Sequence, residues 1–179
     1  MAKKQRQEED VNGDQEELVD GAEAGDSLGS LDFDVSEEYK ADPLAPKGTY
    51  HAVVSGVKFN PSQFCIVWDC CLHDNGGVMN DGETPIDGVH VFMRNWLPKP
   101  GDENELTKSG RTNKRQSKIN MLNDFQTQLG IDMSTPQKIA TALAECQWVG
   151  IELDVDVDVD EYQGRFRNVV NKARKSTMY

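Results

Sequence analysis

Residues 148–171 read WVGIELDVDVDVDEYQGRFRNVVN. Every odd position from 149 to 159 is aliphatic: Val149, Ile151, Leu153, Val155, Val157 and Val159. Every even position from 152 to 160 is acidic. An unbroken period of two predicts a long strand with one buried face and one wet face. Glu161-Tyr162-Gln163-Gly164 then reads as a turn, with Gly164 supplying a left-handed backbone position. The chain returns over residues 165–171. A four-residue loop sets Asp160 opposite Arg165 and Asp158 opposite Arg167, so that arginines meet the acidic face. Phe166, Asn168 and Val170 then turn inward. This hairpin closes a β-domain.

Upstream, residues 49–59 (TYHAVVSGVKF) read as a first strand, with Gly56 marking a bulge or bend. Asn60-Pro61-Ser62 is a turn. Residues 64–72 form a second strand whose apolar face is Phe64, Ile66, Trp68, Cys70 and Leu72. Residues 73–88, rich in Gly, Asn and Asp, form a long loop. Residues 89–97 form a third strand, with Val89, Val91, Met93 and Leu97 on one face and His90, Phe92, Arg94 and Trp96 on the other. A polar loop over 98–113 leads into a helix with Ile119, Leu122, Phe125 and Leu129 on its apolar side and Gly130 as its stop. Ser134-Thr135-Pro136 opens a second helix, with Ile139, Ala142, Leu143 and Cys146 on one side. The expected class is therefore mainly β. Five strands with a helical insert between strands 3 and 4 is the order of an OB-like barrel, a small, partly open barrel that often binds single-stranded nucleic acid.

Charge divides the 179 residues unevenly. Residues 1–46 hold fourteen acidic and four basic side chains, a net of −10, which leaves 17 acids and 15 bases, a net of −2, for residues 47–179. The first segment has few large apolar residues and cannot bury enough surface to offset its ordering entropy, so a disordered acidic tail is expected there. The expected organisation is that tail over 1–46, one nucleic-acid-binding domain over 47–175, and a short C-terminal end over 176–179. No apolar run approaches the ~20 residues of a membrane helix. The N-terminus MAKKQRQEED lacks the hydrophobic stretch of a signal peptide. The four cysteines, Cys65, Cys70, Cys71 and Cys146, are then most simply reduced thiols of a cytoplasmic protein.

The outer face of the third strand carries the sharpest functional signal. His90, Phe92, Arg94 and Trp96 alternate aromatic with basic groups, the pattern that stacks bases and holds phosphates. The bland reading is that the helical insert or a partner covers Phe92 and Trp96. Lys108, Arg111, Lys114, Arg115 and Lys118 follow without an intervening acid, and Lys99 joins them. Their plain reading is a solvated helix start. Positive charge in a first helical turn opposes the helix dipole, so local stabilisation explains it poorly. The ladder Asp154, Asp156, Asp158 and Asp160 lacks the glycine and the glutamate of a calcium loop in either register. A solvated strand face explains it. Cys70 and Cys71 point to opposite faces and cannot chelate together, and Asp69, Cys71 and His73 on one straight strand do not readily converge on zinc. No catalytic signature is present, and neither an enzyme nor a cofactor or metal is expected.

With these pieces in place, the chain resembles a family of phage OB-fold single-stranded-DNA-binding proteins found among replication and recombination genes. The resemblance rests on Pro46-Lys47-Gly48-Thr49-Tyr50 with Ala52-Val53-Val54, and on Phe92-Met93-Arg94-Asn95-Trp96-Leu97. Leu129-Gly130 at the helix end and Asp160-Glu161-Tyr162-Gln163-Gly164-Arg165 with Asn168 and Val170 complete it. It covers roughly residues 45–172. It implies single-stranded DNA binding in the host cytoplasm, with DNA contact by Phe92, Arg94 and Trp96. It also implies recruitment of replication or recombination proteins through an acidic tail, although here the acidic segment is N-terminal and the chain ends near basic Lys172-Ala173-Arg174-Lys175. Two other readings remain open. One is an acidic protein-interaction module, a phage structural or host-takeover factor. The other is a metal-dependent nuclease built on the aspartate ladder.

Overall fold

The computed structural model describes residues 40–176, and most of the acidic segment, 1–39, lies outside the described residues, as do 177–179. The folded unit takes up residues before 47. Ala45 is fully buried and exchanges two hydrogen bonds with the Asn168 amide, and Leu44 does the same with Asn80. The domain therefore begins a few residues earlier than charge alone places it, because its first tether is made to side chains far along the chain.

Five antiparallel strands form one sheet: β1 (Gly48–Asn60), β2 (Cys65–Leu72), β3 (His90–Trp96), β4 (Glu152–Tyr162) and β5 (Arg165–Lys175). Their spatial order is β3-β2-β1-β4-β5. The edges β3 and β5 approach one another but do not pair, so the sheet is open. Two helices lie between β3 and β4: α1 (Lys114–Leu129) and α2 (Pro136–Ala144). Asn113 caps α1 by accepting from the Gln116 backbone N–H, and Gly130 ends it at φ 68°. Thr135 caps α2 in the same way, with Pro136 in its first turn.

The alternation seen in the sequence decides which face is inside. Ile66, Trp68, Cys70 and Leu72 of β2, Val91 and Met93 of β3, and Leu153, Val155 and Val157 of β4 are buried. Phe125 and Leu129 of α1, Ile139 and Ala142 of α2, and Trp148 cover that face. At the centre, Trp68 stacks on Trp148 with ring centroids 5.1 Å apart and meets Phe125 edge-on at 5.2 Å. Gly56 does mark a bulge, since the β1–β2 register shifts between Val54 and Gly56.

The closing hairpin differs from expectation in register. Its loop has two residues, Gln163 and Gly164, both at positive φ (52° and 76°). Paired positive φ values match the right-handed twist of the flanking strands and give the tightest hairpin turn. Tyr162 therefore faces Arg165, Asp160 faces Arg167, and Asp158 faces Val169. Phe166 points to solvent at 65% exposure instead of inward. Val170 lies opposite Val157, and a bulge in β5 between the partners of Asp156 and Val157 then sets Ala173 opposite buried Val155. Val149 precedes the strand and is exposed, as is Val159, so only the middle of the aliphatic row is core. Cys146 is likewise exposed, because α2 ends at Ala144 before its apolar side reaches that position.

Groups on both sides partly offset the aspartate ladder. Lys47 Nζ lies 2.6 Å from Asp158, Thr49 donates to Asp156 at 2.6 Å, and Arg174 approaches Asp154 and Asp156 at 3.9 and 3.5 Å. Of the two expected arginines, Arg167 reaches Asp160, at 3.5 Å. Val157→Asp places an unpaired charge in the core, and a loss of cooperative thermal unfolding is expected. Asp160→Asn removes an exposed pair worth about 0–1 kcal/mol. Circular-dichroism melts of the two variants check the ranking, and similar melts would mean the faces of β4 are reversed.

Candidate nucleic-acid interface

The outer face of β3 is displayed as its alternation predicts. His90, Phe92, Arg94 and Trp96 all project to the exposed side, with Phe92 47% and Trp96 43% accessible. Neither helix buries them, and the buried apolar residues of both helices pack on the inner face. The β2–β3 register extends this face. Cys71 sits opposite His90, Asp69 opposite Phe92, Val67 opposite Arg94 and Cys65 opposite Trp96. On β1, Gly56 is opposite Asp69 and Lys58 opposite Val67. His90 Nδ1 lies 2.6 Å from Asp69 Oδ1, which fixes the carboxylate beside the Phe92 ring.

The basic run is divided by the structure. Lys118 Nζ donates to Asp102 at 2.7 Å and to the Leu97 carbonyl at 3.2 Å, which anchors the start of α1 against the end of β3, next to Trp96. Asp102 is only 1% exposed and also accepts from the Lys99 backbone N–H at 2.9 Å. Lys114 pairs with Glu105, which pulls that carboxyl below its usual range and raises the ammonium. Arg115 and the Lys99 side chain are exposed beside this anchor. Lys108 and Arg111 stand at the tip of a tight loop, closed by the Thr107–Thr112 backbone bond and the Leu106–Asn113 bridge. The structure thus brings Lys99, Lys114, Arg115 and Lys118 to the end of β3. It puts Lys108 and Arg111 on a separate loop.

Lys58 and Val67, which the sequence did not single out, share the β3 face with Asp69, and only the cross-strand register reveals it. At the hairpin tip, Tyr162, Gln163, Arg165, Phe166 and Arg167 line an open concavity of about 630 Å³. The Arg167 guanidinium lies 4.7 Å over the Tyr162 ring. Tyr162 and Phe166 are both more than half exposed there. The signal was present as aromatic residues interleaved with arginines, but the assumed inward turn of Phe166 hid it.

Other chemistry is limited. Burial, and next the Asp69 charge, push the Cys70 thiol up to about 12, so it is not a thiolate at neutral pH. Cys70 and Cys71 lie on opposite faces, one buried and one half-buried. Among the described residues no group of three or more His, Cys, Asp or Glu side chains is placed to hold a metal ion. No described helix is long and apolar enough to cross a membrane. Comparison with known proteins returns no matching family model and no matching curated protein.

The Lys118 hydrogen bond, then the Lys99 backbone N–H, hold the Asp102 carboxyl below its ordinary value. A depressed folded-state pKa adds stability above the unfolded value, near 3.9, and that stability is lost as pH falls through the folded value. Asp102→Asn is therefore expected to melt lower than the parent at pH 5–7. The gap should close progressively below about pH 4. Thermal melts across that range check it, and a gap independent of pH would assign the pair no electrostatic role.

Proposed function

We propose that the protein binds single-stranded DNA without strong sequence preference, and that it serves phage DNA replication or recombination in the host cytoplasm. The observation that carries this reading is the outer face of β3, where Phe92 and Trp96 stand nearly half exposed with Arg94 between them. Exposed aromatic planes are stacking platforms for bases, and the interposed cation meets the backbone. The cations at the end of β3 lengthen the path. In this reading the protein holds or presents the strand and does not cut it. The strand order, the approach of edges β3 and β5, and the insert between β3 and β4 support an OB-like barrel as the finer description of the fold. An N-terminal acidic segment that docks replication or recombination proteins fits the same role.

A second reading is a protein-interaction module with Phe92 and Trp96 as an interface hot spot. It is favoured by the pairing of Lys114 and Lys118 with Glu105 and Asp102, which reduces the charge available to phosphates. A labelled single-stranded oligonucleotide titrated at low and high salt separates the two, since failure to bind at low salt supports the interaction module.

Trp96→Ala is expected to weaken single-strand binding by about 1–3 kcal/mol with the fold intact. Unchanged affinity in a folded variant would remove β3 from the path. Arg111→Glu and Arg115→Glu change cations with no ion pair among the described residues. Each lost phosphate contact should flatten the slope of log K against log salt by about 0.7. A slope equal to the parent's would move the phosphate path elsewhere.

A further inference from the structure

Beside Phe92 the outer face is not flat. Gly56, Val57, Lys58, Val67, Asp69 and Phe92 line a concavity of about 210 Å³ across β1, β2 and β3. Its size falls below the ~300–1,000 Å³ typical of sites enclosing drug-sized ligands, which suits one flat ring system entering edge-first. Gly56 makes the space. It stands at the β1 bulge with no side chain, directly opposite Asp69. Phe92 supplies an aromatic wall, Val67 an apolar floor, and Lys58 and Asp69 opposite charges.

The polarity of the slot is defined by Asp69. Its Oδ1 is held by His90 Nδ1 at 2.6 Å, so the carboxylate is oriented before any ligand arrives. An ionised carboxylate only accepts hydrogen bonds, and its two oxygens offer about four lone-pair sites, so one contact with His90 leaves capacity. A ring bound here must present donors to Asp69 and, on its other side, an acceptor to Lys58. Unstacked bases in single strands are read on these edges. Guanine presents N1–H and the exocyclic N2–H₂ side by side, with the O6 acceptor next to them. Cytosine and adenine each offer Asp69 a single amino group. Thymine carries carbonyl oxygens on both sides of its one N–H, and these face the carboxylate unfavourably.

We infer that the slot formed by Gly56, Lys58, Val67, Asp69 and Phe92 is a base-reading site selective for guanine over thymine. The base stacks on Phe92, donates through N1–H and N2–H to Asp69, and accepts at O6 from Lys58. This inference rests on the single-strand-binding reading above and adds a base preference at one position of an otherwise sequence-tolerant path.

The test compares a thymidine oligonucleotide with the same oligonucleotide carrying one central dG, dC or dA, titrated against the full chain. The dG oligonucleotide should bind at least about fivefold more tightly than the all-thymidine one, the low end of discrimination by a bidentate base contact. Asp69→Asn should abolish that ratio, read within the variant as dG against all-thymidine binding. Gly56→Val should also abolish it by filling the slot. The backbone at Gly56 admits a Cβ, which meets only Asp69 Cβ, at 4.0 Å, and its φ lies outside the left-handed region. Melting temperatures of both variants confirm folding. Equal binding of dG and dT, or tighter binding of dC than dG, overturns the guanine slot while leaving single-strand binding intact. Retention of the preference in folded Asp69→Asn overturns Asp69 as the reader. If no oligonucleotide binds at low salt, the single-strand reading itself fails and takes the slot with it.

Discussion

The stack of Trp68 on Trp148, with Phe125 edge-on, is the contact on which the rest of the structure depends. Trp68 is fully buried on β2, between β1 and β3, while Phe125 comes from α1 and Trp148 from the turn into β4. One aromatic cluster thus draws the whole segment between β3 and β4 onto one face of the sheet. The indole N–H of Trp68 has no hydrogen-bond partner among the described residues, so dispersion and apolar burial must outweigh an orphaned donor that costs ~1–3 kcal/mol. The insert's buried apolar side chains, Phe125, Leu129, Ile139 and Ala142, are committed there, while Phe92 and Trp96 stay nearly half exposed on the opposite face. The exposure of Phe92 and Trp96 is a consequence of where the core was placed.

What was legible in the sequence is what depends on period. Alternation placed Ile66, Trp68, Cys70 and Leu72 inside, and His90, Phe92, Arg94 and Trp96 outside. Helix ends were legible where a local signal specifies them, as at Gly130 and Thr135, whereas the Asn113 cap went unread. Register was not legible, because it follows from turn length. Gln163 takes a left-handed φ that a non-glycine residue seldom adopts, which shortens the loop to two residues and moves the pairs of the hairpin by one step along each strand. The same blindness hid the slot, since Asp69 and Phe92 lie 23 positions apart and meet only through the β2–β3 register. Ala45 escaped for a similar reason. Its hydrogen-bond partner, Asn168, is 123 residues away, and no local composition encodes that tie.

Cross-strand register also explains the charge on the outer face. His51 and Thr49 of β1 lie opposite Asp154 and Asp156 of β4, and Val53, on the same side of β1, lies opposite Cys71 of β2. Cys71 and Asp69 share that side of β2 with the β3 row. One face of the sheet therefore has an aromatic and cationic half over β2 and β3 and an acidic half over β4. The basic residues of β5 sit at the far edge of the acidic half, where Arg174 is drawn to Asp154 and Asp156. The hydrogen bond from Lys47 holds the Asp158 carboxyl below its ordinary range.

That division constrains any polyanion on this face. A strand crossing from β3 toward β4 would meet Glu152, Asp154 and Asp156, and the contacts of Thr49 with Asp156 and of Arg174 with Asp154 and Asp156 only partly offset that charge. A strand running along β2 and β3, toward the exposed cations at the start of α1, meets Lys58, Arg94 and Arg115 instead. Like-charge repulsion over such distances acts within a Debye length of ~10 Å at 0.1 M salt, comparable to two strand spacings of ~4.8 Å. In the proposed single-strand-binding role the ladder would act as a fence along one side of the path, and it would keep phosphates on the half of the face that displays Phe92 and Trp96.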